Sequence, residues 1–251
     1  MNEIRLVLAD LDGTVVQPEA QVASEGVITA LREADERGVK FAAITGRPYW
    51  MAKDLLKTIG FNDPCVFEGG AIIINPASEE VLWSKTVPVE ATRQATEILG
   101  RHASIIEYGA GVIKAEDIDL STITEPALSV WASVPAEKAE ELVEELKVLP
   151  EVAVHANAGP GGDFSRTGIQ VTHFEADKEH AVRELLKLTG ADKEHTLAIG
   201  DGNNDLPLFR SANLKIAMGN ASEALKAAAD EVVASVSEDG FAEAIRKFTN
   251  G

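Results

Sequence analysis

Short apolar runs that break off at acidic or hydroxyl residues constrain this chain more than any other feature. Residues 4–9 are mainly aliphatic and stop at Asp10; residues 39–44 stop at Thr45; residues 196–199 stop at Gly200-Asp201. Runs this short, without polar residues at alternate positions, suit strands covered on both faces, as in a parallel sheet between layers of helix. Helical spacing lies between them. Ser24 is placed to cap a helix in which Val27, Leu31 and Ala34 share one face and which Gly38 ends. Ala181, Val182, Leu185 and Leu186 mark a second helix, and Phe241, Ala244, Ile245 and Phe248 a last one, with a further strand at 214–217. Alternation of this kind predicts an α/β fold with a doubly wound, mainly parallel, Rossmann-like sheet.

The middle of the chain has another rhythm. From 82 to 173 the order is helix, strand, strand, strand, helix, strand, strand. Residues 105–108 and 112–114 flank Gly109-Ala110-Gly111, a hairpin signal. Ala139, Leu142, Val143 and Leu146 form a one-sided helix, and residues 128–133 and 169–172 read as strands. The expectation is an inserted α+β domain over 82–173, interrupting a core built from 1–81 and 174–251. The Gly159-Pro160-Gly161-Gly162 stretch lacks dinucleotide-binding spacing and reads as a loop.

Composition removes several classes of function. The net charge of −18 comes with no basic run, which argues against nucleic acid as a partner. No apolar stretch approaches the length of a membrane span, and the first residues lack the pattern of a signal peptide. One cysteine, Cys65, permits no internal disulfide and reads as a core residue in a strand. A cytoplasmic protein, monomer or homodimer, is expected. Its acidity demands that any anionic substrate meet local cations.

Ligands of doubly wound sheets bind beyond the carboxyl ends of the strands. Three predicted strands end there in Asp10-Leu11-Asp12-Gly13-Thr14, Thr45-Gly46-Arg47 and Gly200-Asp201-Gly202-Asn203-Asn204-Asp205. Four carboxylates, Asp10, Asp12, Asp201 and Asp205, would then gather in one cleft. Such a cluster is costly without a cation, and hard oxygen donors suit Mg²⁺. Gly13 and Gly46 would leave backbone N–H groups open to phosphate oxygens. A carboxylate can also act as a nucleophile toward phosphorus.

These three segments resemble the first, second and fourth motifs of the haloacid dehalogenase superfamily of phosphohydrolases, and Lys178 fits the lysine of the third. Ile216-Ala217-Met218-Gly219-Asn220-Ala221 and Glu238-Asp239-Gly240 resemble its Cof-type branch. The resemblance implies Asp10 as nucleophile and Asp12 as general acid and base. It implies phosphate-holding roles for Leu11, Gly13, Thr45, Gly46, Lys178 and Asn204. The Mg²⁺ ligands would be Asp10, Asp12 through its main-chain carbonyl, and Asp201, with Asp205 beside them. Arg47 is a surface or substrate-side residue on this reading. Arg166 and Ser165, in a loop before the 169–172 strand, and His155 and Asn157 are candidates for contact with substrate from the insertion. Glu68-Gly69-Gly70 stands where relatives often carry an asparagine. The implied activity is Mg²⁺-dependent hydrolysis of a small phosphorylated metabolite, a sugar phosphate or phosphoglycolate-like acid. A phosphomutase and a non-catalytic phospho-metabolite binder remain open alternatives.

Overall fold

The computed structural model describes residues 3–18, 20–108, 111–158 and 165–249. Gly109 and Ala110 of the expected hairpin and the loop at 159–162 lie outside them, as does the side chain of Asn157. The chain divides into two units, residues 1–83 with 177–251, and residues 84–176.

The first unit begins with β1 (Leu6–Ala9), α1 (Glu25–Asp35), β2 (Lys40–Ala43), α2 (Tyr49–Ile59), β3 (Cys65–Phe67), β4 (Ile72–Asn75) and β5 (Glu80–Ser84). The second holds α3 (Val89–Gly100), β6 (Ile105–Tyr108), β7 (Gly111–Lys114), β8 (Ser129–Pro135), α4 (Ala136–Leu146), β9 (Val152–Ala158) and β10 (Arg166–His173). The chain then completes the first unit with α5 (Lys178–Thr189), β11 (Thr196–Gly200), α6 (Leu206–Arg210), β12 (Leu214–Ala217), α7 (Glu223–Ala228), β13 (Glu231–Val232) and α8 (Gly240–Thr249).

The first unit is built on a parallel sheet in the order β13-β12-β11-β1-β2. Every residue of β1 and β11 is buried, which is why both read as unbroken apolar runs. A parallel bridge between Ile44 and Val66 brings the β3-β4-β5 sheet to the β2 edge. Ser24 caps α1 by accepting from the Val27 amide, and Val27, Ala30, Leu31 and Ala34 form its buried stripe. The helix stops at Asp35, earlier than expected, and the left-handed Gly38 (φ 85°) turns the chain into β2. Because all five strands run the same way, the residues following β1, β2, β11 and β12 emerge along one edge.

The insertion has its own antiparallel sheet, in the order β7-β6-β8-β10-β9. Ile98 and Leu99 of α3 and Leu142 and Leu146 of α4 join Ile106, Val130, Ala132, Val134, Ile169 and Val171 of the sheet in one core. Burying a Val, Leu or Ile side chain contributes roughly 1.5–3 kcal/mol, and the repetition of such positions gives this unit a core of its own. The expected loop placement of Arg166 is corrected: it heads β10, paired with Pro135 across the ladder, and its guanidinium donates to Oγ and the carbonyl of Ser133. Ser165 precedes the strand, its carbonyl accepting from the Ala136 amide at the start of α4. His155 lies exposed on β9, in register with Gln170. Among the described residues no helix is long and apolar enough to cross a membrane.

Candidate active site

β1 ends at Ala9, so the regular alternation of side chains stops just before Asp10. The chain then winds into a tight turn. The amides of Thr14, Val15 and Val16 converge on the Leu11 carbonyl, and Gly13 N–H donates to Val16 O. Gly13 has φ 81°, and a Cβ there would lie 2.3 Å from Asp201 Oδ2, so both conformation and space require glycine. The turn sends Asp10 and Asp12 to different partners.

Asp10 is buried, and its Oδ1 accepts from Lys178 Nζ at 2.8 Å. The same ammonium donates to Asp205 Oδ1 at 2.7 Å. Lys178 reaches this position from the first turn of α5, where Asp177 caps the helix by accepting from the His180 amide. Gly70 (φ 124°) lets that turn approach: a Cβ on it would meet the Asp177 carbonyl carbon at 2.3 Å. Asp205 is fully buried, and its second oxygen accepts from the amides of Asp201 (3.0 Å) and Gly202 (2.9 Å). Asp205 therefore folds the β11 turn around itself while neutralising Lys178. Asp201 is partly open; its Oδ1 accepts from Thr14 Oγ1 at 3.0 Å. One carboxylate oxygen from each of Asp10, Asp201 and Asp205 lies within 4.8 Å of the others.

The electrostatics follow from this crowding. Burial pushes Asp10 from its ordinary 3.8 up to about 7; Lys178 opposes the rise, and the neighbouring carboxylates add to it. Burial likewise raises Asp201 to about 6, against the hydrogen bond from Thr14. For Lys178 burial favours the neutral form, but Asp10 and Asp205 outweigh it and hold the ammonium above its usual range. Carboxylates crowded and buried in this way are a donor set that a divalent cation would stabilise. Their all-oxygen chemistry fits Mg²⁺.

Of the four carboxylates expected in one cleft, three bring oxygens within 4.8 Å of one another, while the charge of Asp12 still bears on Asp201. Asp12 pairs with Arg47, which is corrected from a surface residue to a buried one: Nε donates to Asp12 Oδ2 at 2.7 Å and Nη2 to Oδ1 at 2.6 Å. Thr45 is buried at the end of β2, its Oγ1 accepting from the Arg47 amide. Gly46 beside it is exposed, with open space where a Cβ would stand. Leu11 is buried, its carbonyl occupied by the turn. Asn204 is exposed, its Oδ1 lying back over Gly202.

Three participants were given no role from the sequence. Thr14 ties the first turn to Asp201. Asn220 donates from Nδ2 to the Gly13 carbonyl at 2.9 Å and accepts the Val236 amide on Oδ1. It follows β12, so the strand-end rule that singled out the other turns also points to it. Glu68, buried with φ 54°, gives its amide to the Arg47 carbonyl, and the Gly69 amide bonds the Thr45 carbonyl, fastening the β3 turn to the β2 turn.

A family model described as haloacid dehalogenase-like hydrolase matches residues 7–115 and 106–245. The chain is 28% identical over 242 residues to the phosphoglycolate phosphatase of Methanopyrus kandleri, covering 96% of each. It is 25% identical over 248 residues to the 5-amino-6-(5-phospho-D-ribitylamino)uracil phosphatase of Bacillus subtilis, covering 97% of this chain and 95% of that one. Among solved structures, a haloacid dehalogenase-like hydrolase from Bacteroides thetaiotaomicron superposes with a TM-score of 0.85 at 25% identity, over 98% of this chain and 99% of that chain.

Proposed function

The chain belongs to the haloacid dehalogenase-like hydrolase family, and from that premise we propose that it is a phosphatase that removes phosphate from a small phosphorylated metabolite. The observation that carries this reading is the Asp10 carboxylate at the carboxyl end of β1. It is held by Lys178 at 2.8 Å in a cluster with Asp201 and Asp205, and Asp12 stands two residues on. Relatives of similar length are named for phosphoglycolate and for 5-amino-6-(5-phospho-D-ribitylamino)uracil, which favours a small phosphomonoester as the substrate.

In this proposal Asp10 attacks phosphorus and the bond from phosphorus to the leaving oxygen breaks, leaving an aspartyl-phosphate. Asp12 gives its proton to the departing alkoxide. It then takes a proton from water as that water attacks phosphorus, which breaks the bond to Asp10 and frees inorganic phosphate. Lys178 supplies one fixed positive charge toward the oxygens of the transferring group, and Thr45, Gly46 and Asn204 are the neutral groups placed to hold them. Asp10 and Asp201, with Asp205 adjoining, would hold Mg²⁺, whose charge offsets that of the phosphoryl oxygens in so acidic a protein. Asp12 would add its main-chain carbonyl to that set. Arg166, Ser165 and His155 are proposed as the insertion's contacts to the rest of the substrate.

The test is phosphate release from a panel of phosphorylated metabolites, with Mg²⁺ and with EDTA. Turnover that needs the cation and vanishes in Asp10→Asn is expected. Full activity in EDTA, or in that variant, would remove the reading.

A further inference from the structure

We propose that Arg47 is a positioning residue for the acid–base step, fixing the direction in which Asp12 presents its carboxylate; this rests on the role assigned to Asp12 above. The guanidinium meets Asp12 fork to fork, Nε to Oδ2 and Nη2 to Oδ1, at 2.7 and 2.6 Å. A planar bidentate pair fixes the carboxylate plane, which a lysine, with a single point charge, would not do. Nη2 also donates to the Ala20 carbonyl at 3.0 Å, so one side chain holds both Asp12 and the segment that returns from the first turn.

The arginine is itself immobilised. Its amide donates to Thr45 Oγ1 at 3.1 Å, its carbonyl accepts from the Glu68 amide at 3.1 Å, and only 7% of it is exposed. Asp12 is more open, its side chain 33% exposed, in a turn whose backbone is fixed by the amides converging on Leu11. The freedom left to Asp12 is therefore the rotation of its side chain, and that rotation is what Arg47 controls. Both carboxylate oxygens are bonded here. To serve a leaving oxygen, Asp12 must give up one of the two bonds and keep the other as its pivot. Arg47 acts through Asp12 and does not itself touch the transferring phosphoryl group.

The test uses Arg47→Met and Arg47→Lys with two substrates: the most rapidly hydrolysed alkyl phosphomonoester of the panel, and 4-nitrophenyl phosphate, whose leaving group departs without a proton. Misplacing a catalytic group costs on the order of 10²-fold. Arg47→Met is expected to lower the single-turnover rate of alcohol release from the alkyl ester by that factor and of nitrophenol release from the aryl ester by less than about fivefold, with KM within about twofold for both. Arg47→Lys is expected to recover only part of the alkyl-ester rate. In a D12N background, Arg47→Met is expected to add less than about threefold, as for two residues acting as one unit.

Equal losses in the single-turnover release rate for both substrates, a raised KM at unchanged release rates, or a full further loss in the D12N background would overturn the proposal. Thermal melts accompany each variant; if Arg47→Met does not fold, Arg47→Gln carries the same comparison. Absence of turnover in the wild-type protein, or activity in Asp10→Asn, would strike the phosphatase reading itself and is distinct from any of these ratios.

Discussion

Replacing Lys178 by methionine keeps the apolar stem and removes the ammonium that donates to Asp10 and Asp205 at 2.8 and 2.7 Å. Both carboxylates are buried, so the loss strands negative charge away from water. Breaking one partner out of a buried pair costs about 3–5 kcal/mol. At ~2–4 °C per kcal/mol for a chain of this size, the midpoint of thermal unfolding should fall by about 6–20 °C. The effect depends on pH in a defined sense. Burial already raises Asp10 to about 7 with Lys178 present, and removing the ammonium takes away the influence that opposes the rise. A carboxyl raised in the folded state contributes stability that is whole below its ordinary value of 3.8 and is lost as pH rises through the folded value. The variant's deficit should therefore be largest near pH 8.5 and shrink near pH 5.5, where Asp10 keeps its proton. Lys178 is charged in the wild-type protein at both values, since its own pKa is raised. Circular-dichroism melts of both proteins in EDTA at the two pH values measure this. A shift below about 2 °C at pH 8.5, or the same shift at both, would refute the account of Lys178 as the counter-charge of the cluster.

Three further outcomes follow from the same geometry. Protons and Mg²⁺ compete for Asp10 (about 7) and Asp201 (about 6), so titration calorimetry should find apparent Mg²⁺ affinity on the order of 10²-fold weaker at pH 5.5 than at pH 7.5; a flat profile would exclude these two as ligands. Gly13→Ala should lower Mg²⁺ affinity at least ~10-fold, because the new Cβ would stand 2.3 Å from Asp201 Oδ2 on a backbone at φ 81°; unchanged binding would contradict the packing described. Cys65 is buried, its Sγ accepts from the Ala43 amide, and burial pushes the thiol up to about 12. Its reaction with a disulfide reagent in the native protein should run below ~1% of the rate in denaturant, and prompt labelling would show that the β2–β3 edge opens.

β1, β2 and β11 were legible because burial on both faces leaves a plain mark, an aliphatic run with a polar stop, which the two-residue, half-exposed β13 lacks. The same logic located Asp10, Thr45 and Asp201. α1 was legible from Ser24 and its stripe. α2 was harder to see: it starts behind Pro48, which offers no side-chain cap. β4 and β5 follow a turn in which Glu68, Gly69 and Gly70 all have positive φ, a conformation that glycine signals and glutamate does not. The pairing of Arg47 with Asp12 joins turns from two strands, and its burial depends on the return of the chain to Ala20. No local pattern announces either, so an arginine after a strand looked like surface. Arg166 was placed in a loop because the apolar signal of its strand begins only at Ile169; it heads β10, and Ser133 on the neighbouring strand accepts from its guanidinium.

The strand β1, interior to the core sheet, has an unusual position in time. Leu6 pairs with Lys40 on one side and with Thr196 on the other, the second partner about 190 residues away. At ~5–20 residues per second of synthesis, β1 would wait roughly 10–40 s on the ribosome with one edge open. The strands of the insertion, by contrast, find all their neighbours between β6 and β10 and can pair while that wait lasts. The Asp10 turn, anchored to Asp201 and Lys178, would be among the last parts of the molecule to take shape, so a truncated or stalled chain would display an apolar strand edge well before it displayed a working site.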